Sequence, residues 1–239
     1  MLNRRLAHTR SDAGGGTRIP AELTASQLLE EQSKRGRFIK RCGDVVFSLL
    51  VLTLGSPLFL LLALLVKLSS RGSVFYSQRR IGRGYRGFGC LKFRTMRRDA
   101  DQVLASLLAA DPLLRAEFER DHKLRNDPRI TPLGKLLRRS SLDELPQFIN
   151  VLKGQMSVVG PRPIVWDELR RYGRDMDEVL SVRPGLTGLW QVSGRNNLSY
   201  RERVRLDLHY VRQRSFWLDL RIVLRTIGVV LLPLDRGAY

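Results

Sequence analysis

Two adjacent carboxylates, Asp143 and Glu144, lie in the densest run of reactive side chains of this 239-residue sequence, Arg138-Arg139-Ser140-Ser141-Leu142-Asp143-Glu144-Leu145-Pro146. Ser141 and Glu144 have capping-box spacing, which puts both acids in the first turn of a helix. Pro146 is accommodated more easily if Asp143 itself is the cap, so the helix starts at one residue or the other. Either start sets the acids at the positive end of a helix dipole, which favours an ionised carboxylate at neutral pH. An ionised aspartate among arginines can attack phosphorus, and a neighbouring glutamate can hold Mg²⁺ through hard oxygen ligands. The same residues would also make an ordinary capped surface helix with charge pairs.

Basic residues recur where phosphate recognition would need them. Lys92 and Arg94 alternate along an expected strand, Phe88 to Thr95, and so share a face. Arg162 stands between two prolines in Gly160-Pro161-Arg162-Pro163, a segment with little conformational freedom. Arg183-Pro184-Gly185 and Gly194-Arg195-Asn196 again pair an arginine with a turn residue. Arginine suits bidentate phosphate contact, and a diphosphate substrate needs several such donors. Taken singly, each of these is more often an ordinary solvated charge, and it is their recurrence that points to phosphate.

Other motifs are weaker. Gly82, Gly84 and Gly87 match G-x-G-x-x-G, but that fingerprint must open a helix, whereas this one joins two expected strands, Val74 to Ser77 and Phe88 to Thr95. Asp99-Ala100-Asp101 and Asp175-Met176-Asp177 match the D-x-D of metal-dependent glycosyltransferases, yet both fall in polar helical stretches. Two cysteines, Cys42 and Cys90, make neither a disulfide framework nor a four-ligand zinc site. His8, His122 and His209 show no metal-ligand spacing, and no Ser-His-Asp order or P-loop is present.

These residues need a scaffold and a partner, and composition bounds both. Hydrophobic residues make up 43% of the chain, enough for a core and too many for wholesale disorder. The net charge is +19, which implies polyanionic partners: nucleic acid, an anionic membrane or phosphorylated small molecules. The excess is local. Residues 1–33 are neutral, with Ser11 to Pro20 reading as disordered, whereas residues 34–98 hold 15 basic residues and the single acid Asp44. Inside that block Val45 to Val66 runs 22 residues without a charge, and a helix rising ~1.5 Å per residue would carry it across a hydrocarbon layer. Basic flanks on both sides place both ends on the cytoplasmic face, and Ser56-Pro57 breaks the helix near its middle. A re-entrant membrane hairpin meets both conditions, with a buried helix of a soluble protein as the alternative. Phe216 to Leu232, apolar but interrupted by Asp219, Arg221 and Arg225, reads as an interfacial helix or a core helix.

Between these segments, residues 99–124 read as helical with a break at Pro112. Pro128, Pro132 and Gly134 mark a loop, Leu142 to Leu152 and Trp166 to Arg174 short helices, and Pro184 to Gly194 a loop-rich stretch. A membrane-anchored nucleic-acid-binding regulator would use the charge, but base-stacking aromatics interleaved with basic residues and a helix-turn-helix are both missing.

Four segments carry a family resemblance: Lys92-Phe93-Arg94-Thr95-Met96, Ser141 to Gln147, Met156 to Pro163 and Arg183 to Arg195. In that order they resemble the bacterial sugar transferases, or monotopic phosphoglycosyl transferases, over residues 36–232. The resemblance implies transfer of a hexose 1-phosphate from a UDP-sugar to undecaprenyl phosphate, releasing UMP and opening exopolysaccharide assembly. A direct sugar transferase that leaves UDP is the closer rival among enzymes. By the resemblance Asp143 forms a covalent phosphosugar intermediate, Glu144 ligands Mg²⁺, and Lys92, Arg138 and Arg162 are basic active-site positions, Arg162 touching phosphate. Arg183 and Arg195 carry over as substrate-binding positions, and Ser56-Pro57 as the break of the re-entrant helix.

The expected fold is therefore α+β. It comprises a disordered tail (1–33), a re-entrant membrane-anchoring helix hairpin (34–72) and a small cytosolic catalytic domain (73–239) of helices with a short β-hairpin and an interfacial C-terminal helix. The expected location is the cytoplasmic face of the inner membrane, and without a long multi-span N-terminal region the chain resembles the compact exopolysaccharide members. Expected partners are the UDP-sugar, undecaprenyl phosphate and membrane lipid, with no nucleic acid. Galactose and glucose are both compatible with the sugar, and a homodimer and downstream glycosyltransferases are candidate associations.

Overall fold

The computed structural model describes residues 25–121, 124, 126–194 and 197–231. The chain divides into two units, 1–38 and 39–239. The described part of the first is the opening of helix α1 (Ala25–Leu54), so residues 25–33 are helical where a tail was expected. Ser11 to Pro20 lies outside the described residues.

In the second unit α1 runs on to Leu54, and α2 (Ser56–Ser69) takes Ser56 and Pro57 into its first turn, where a missing N–H is tolerated. The Ser56 hydroxyl donates to the Thr53 carbonyl at 2.8 Å. The two helices meet at 66°, with the bend at Gly55 beside Ser56-Pro57. Among the described residues no single helix is long and apolar enough to cross a membrane, but this bent pair together is. One side of α2 is buried, Leu62 and Val66 packing with Phe93 and Leu137. Its other side is open, Leu60 being 67% and Leu68 73% exposed.

Strands β1 (Phe75–Ile81) and β2 (Gly87–Phe93) form an antiparallel hairpin that aligns Tyr76 with Lys92 and Arg80 with Phe88. Gly82 and Gly84 belong to its turn, around a 3₁₀ segment at Arg83–Tyr85, Gly87 is the first residue of β2, and the three open no phosphate-binding helix. Helices α3 (Ala100–Ala110) and α4 (Pro112–Asp121) follow, separated at Pro112 as expected.

The loop expected around Pro132 and Gly134 is instead the start of α5 (Pro132–Ser140). Thr131 caps this helix, its hydroxyl accepting from the Gly134 N–H at 2.9 Å, and Pro132 suits the first turn. Gly134 is there because the Thr95 carbonyl occupies the space of a Cβ. Gly134→Ala should therefore lower stability by about 2–3 kcal/mol, read as a fall in melting temperature, although alanine is normally the better helix former by ~1 kcal/mol.

The expected helix from Leu142 is split into a 3₁₀ turn, Leu142–Glu144, and α6 (Gln147–Leu152), with Pro146 between them. After β3 (Ser157–Val159), Trp166–Asp175 is a chain of short turns around α7 (Leu169–Tyr172), followed by α8 (Met176–Val179). The loop expected over Pro184 to Gly194 is corrected to β4 (Gly185–Thr187), parallel to β3, and α9 (Leu189–Ser193). Three-residue strands carry no visible alternation, and this pair joins distant segments. Gly160 and Gly185 cross so closely that a Cβ on Gly185 would strike the Gly160 backbone.

Helices α10 (Tyr200–Gln213) and α11 (Phe216–Leu231) complete the unit. One core cluster joins Cys90, Phe148, Met156, Val159, Tyr210 and Ile222; a second joins Ile81, Ile164, Tyr172, Val179 and Leu208. α11 buries Ile222 and exposes Phe216, Trp217 and Leu224, while Leu232 lies outside the described residues. The architecture is mixed helix with a small amount of sheet, carrying one bent apolar helix pair.

Candidate active site

The chain enters the site through Ser141, whose left-handed backbone (φ 58°, ψ 13°) ends α5 and turns into the Leu142–Glu144 segment. Its side chain caps nothing, so the capping box expected between Ser141 and Glu144 is not formed. What fixes the acids is packing: Leu142 and Leu145 lean on the buried clusters while Asp143, between them, is 7% exposed. Burial pushes the Asp143 carboxyl up to about 6, with Glu144 adding to the rise and Lys92 and Arg138 opposing it. The helix-end stabilisation expected for this carboxylate is thus outweighed, since a single 3₁₀ turn has little dipole to offer. At neutral pH the ionised form still predominates.

Glu144 is held differently. Burial works against its charge, but Lys92 and Arg162 outweigh it and keep the carboxyl below its usual range. Lys92, on β2, reaches its Oε1 at 2.6 Å. Arg162, on the segment after β3, lines the same cleft as Glu144, Lys92 and Arg80. Arg138, on α5, donates through Nε to the Thr95 hydroxyl at 2.9 Å, and its charge favours ionised Asp143. Four separate elements thus set cations around one pair of carboxylates.

Other expected positions fall elsewhere. β2 ends at Phe93, so Arg94 leaves the face of Lys92 and donates to the Ser70 carbonyl at 2.6 Å. Arg183 donates to the Gly154 carbonyl at 2.8 Å and is absent from the cleft lining. Arg195 lies outside the described residues. Of the D-x-D pairs, Asp99 is bound to Arg97 and Asp177 accepts from the Tyr85 hydroxyl.

Arg80, Gln147 and Gln191, none of them a site residue expected from sequence, also stand in the cleft wall. Arg80 donates to the Pro163 carbonyl at 3.1 Å and to Gln78 at 2.8 Å, bracing the segment that carries Arg162. Strand alternation could have found it, because Arg80 and Gln78 align with Phe88 and Cys90, the residues that share the Lys92 face. Gln147 and Gln191 offered no such signal.

Among the described residues no three His, Cys, Asp or Glu side chains gather as a metal cage. Two adjacent carboxylates beside a cationic cleft fit Mg²⁺ well, because that ion takes one or two protein carboxylates and completes its shell with water and substrate phosphates.

The sequence profile described as "Bacterial sugar transferase" matches residues 35–233. An "Uncharacterized sugar transferase" of Haemophilus influenzae is 53% identical over 85% of this chain and 42% of its own length. The "Undecaprenyl-phosphate galactose phosphotransferase" of Salmonella typhimurium is 50% identical over 91% of this chain and 45% of its own length. "Exopolysaccharide production protein ExoY" of Sinorhizobium fredii is 50% identical over 85% of this chain and 89% of its own. The chain therefore spans less than half of the first two relatives and most of the third.

Proposed function

This chain belongs to the bacterial sugar transferase family, and from that premise we propose that it transfers a hexose 1-phosphate from a UDP-sugar to undecaprenyl phosphate, as the first membrane step of exopolysaccharide biosynthesis. The observation that carries this reading is the buried, ionisable Asp143 next to Glu144 in a setting of Lys92, Arg138 and Arg162. The names of the Salmonella and Sinorhizobium relatives, with undecaprenyl phosphate and galactose in one and exopolysaccharide in the other, support the substrate class.

In the first half-reaction a carboxylate oxygen of Asp143 attacks the phosphorus that bears the sugar. The bond from that phosphorus to the bridging oxygen breaks, and UMP leaves with the electron pair. In the second, a phosphate oxygen of the lipid attacks the same phosphorus and the bond to Asp143 breaks, which restores the carboxylate. Lys92 and Arg162 offset the charge of the diphosphate, and Arg138 favours the ionised nucleophile. Glu144 is the residue that would hold Mg²⁺, an ion that neutralises phosphate oxygens during such displacements.

The lipid acceptor requires a site at headgroup depth. The exposed apolar sides of α2 and α11, with Leu60, Leu68, Phe216, Trp217 and Leu224 open, together with the basic residues flanking the bent pair, support a re-entrant seat on the cytoplasmic face of the inner membrane. Purified protein in nanodiscs, given undecaprenyl phosphate and a panel of labelled UDP-sugars that includes UDP-galactose and UDP-glucose, should release UMP. Recovery of UDP in its place would assign direct sugar transfer and exclude the aspartyl intermediate.

A further inference from the structure

Away from the cleft, a buried polar knot ties α1 to β3, and the proposed chemistry makes no use of it. At its centre is Asp44, the one acid in residues 34–98, 6% exposed. Its carboxylate accepts from the Ser157 hydroxyl at 2.8 Å and from the Val158 N–H at 3.1 Å. Lys40, one turn earlier on α1, lies 3.7 Å from Asp44 and 2.6 Å from Asp219 of α11. Asp219 also accepts from the Tyr210 hydroxyl, which stands 3.0 Å from the Val159 carbonyl. All three residues of β3 are therefore gripped by this knot.

Stability alone does not call for such an arrangement. A buried carboxylate is costly unless fully partnered, and apolar side chains of similar volume often pack a helix against a strand at least as well. Directional bonds do give what apolar packing does not, a fixed position of the strand along its own axis. That position passes to the cleft with little slack. Val159 is followed by Gly160-Pro161-Arg162-Pro163, in which both prolines have a fixed φ. The Gly160 N–H donates to the Thr187 carbonyl at 2.9 Å and the Gly185 N–H to the Pro161 carbonyl at 2.8 Å.

We propose that Asp44 is a positioning residue for Arg162. By fixing β3 against α1 it sets where the guanidinium stands in the cleft, and hence how tightly the donor's diphosphate is held. This rests on the reading of Arg162 as a phosphate ligand given above.

The test uses the full chain in nanodiscs, with UDP and Mg²⁺ as the probe and calorimetric affinity as the readout. Asp44→Ala should weaken UDP binding about tenfold. Asp44→Asn keeps an acceptor for the Val158 N–H and should restore affinity to within about threefold of the native protein. Arg162→Gln should weaken UDP by a similar factor, and the double variant Asp44→Ala/Arg162→Gln should be no weaker than Arg162→Gln alone. Fully additive losses would show that Asp44 does not act through Arg162 and would overturn the proposal while leaving the phosphate role intact. Unchanged UDP affinity in Arg162→Gln would instead refute that role, and the proposal with it. If Asp44→Ala does not fold, Ser157→Ala takes its place in the same cycle, with about threefold weaker binding expected and no change counting against the proposal.

Discussion

Asp143→Asn is expected to lower turnover by roughly 10⁴-fold or more, because an amide cannot form the acyl-phosphate bond and the other carboxylate of the Leu142–Glu144 turn, Glu144, is engaged by Lys92 at 2.6 Å. The covalent labelled intermediate should vanish with it in a quench experiment. The protein itself should be no less stable. Folding raises the Asp143 pKa from 3.8 to about 6, so the folded state holds this proton more tightly than the unfolded chain. The group's contribution is therefore complete below pH 4 and is lost as pH rises toward 6. Above pH 6 the native protein carries a buried charge penalty of about 3 kcal/mol at most, which the amide removes. At pH 7.5 the variant should melt at or above the native temperature, and the two curves should converge below pH 4. A variant that melts well below the native protein would make lost activity a folding effect and void the assignment. In the native enzyme the rate of intermediate formation should fall as pH drops through about 6 or below, since the attacking form is the carboxylate.

Glu144→Gln should reduce turnover by about 10²- to 10³-fold, through a different route. Glu144 is kept ionised by Lys92 and Arg162, so at neutral pH it is a full charge able to ligand a divalent cation. The amide keeps the shape but loses that charge, and the Mg²⁺ concentration giving half-maximal activity should rise at least about tenfold. Lys92→Met provides the contrast: it removes the 2.6 Å ion pair but leaves a carboxylate that Arg162 still favours as ionised and that no longer has Lys92 competing for it, so activity should fall while the Mg²⁺ concentration for half-maximal activity does not rise. If Glu144→Gln kept the native Mg²⁺ dependence, the metal would have to be held elsewhere.

Much of the candidate site is legible from residue order, for a physical reason. Phosphate chemistry at neutral pH needs carboxylates and cations, and those types are conspicuous where they interrupt apolar or turn-rich sequence, as at Asp143-Glu144 and Pro161-Arg162-Pro163. The broken apolar helix was equally readable, because a long uncharged run with Gly55-Ser56-Pro57 inside it has few ways to fold. Local pattern misled where a residue serves a distant partner. Gly134 looked like a loop residue, but it is in a helix that the Thr95 carbonyl approaches too closely for any side chain. Arg94 looked like a partner of Lys92, but the strand stops one residue too soon.

By itself, then, the sequence determined which side chains could do the chemistry, two adjacent carboxylates and a set of lysines and arginines of the kinds that phosphate transfer needs. Tertiary structure decided which of them meet. The short parallel pair of β3 and β4 brings Arg162 to the cleft while Arg183, equally plausible by its neighbours, turns to the Gly154 carbonyl. It also decided the charge state of Asp143. The pKa of Asp143 follows from how much water the surrounding leucines exclude and how near the cations come, quantities that arise only when residues far apart in the chain are packed together.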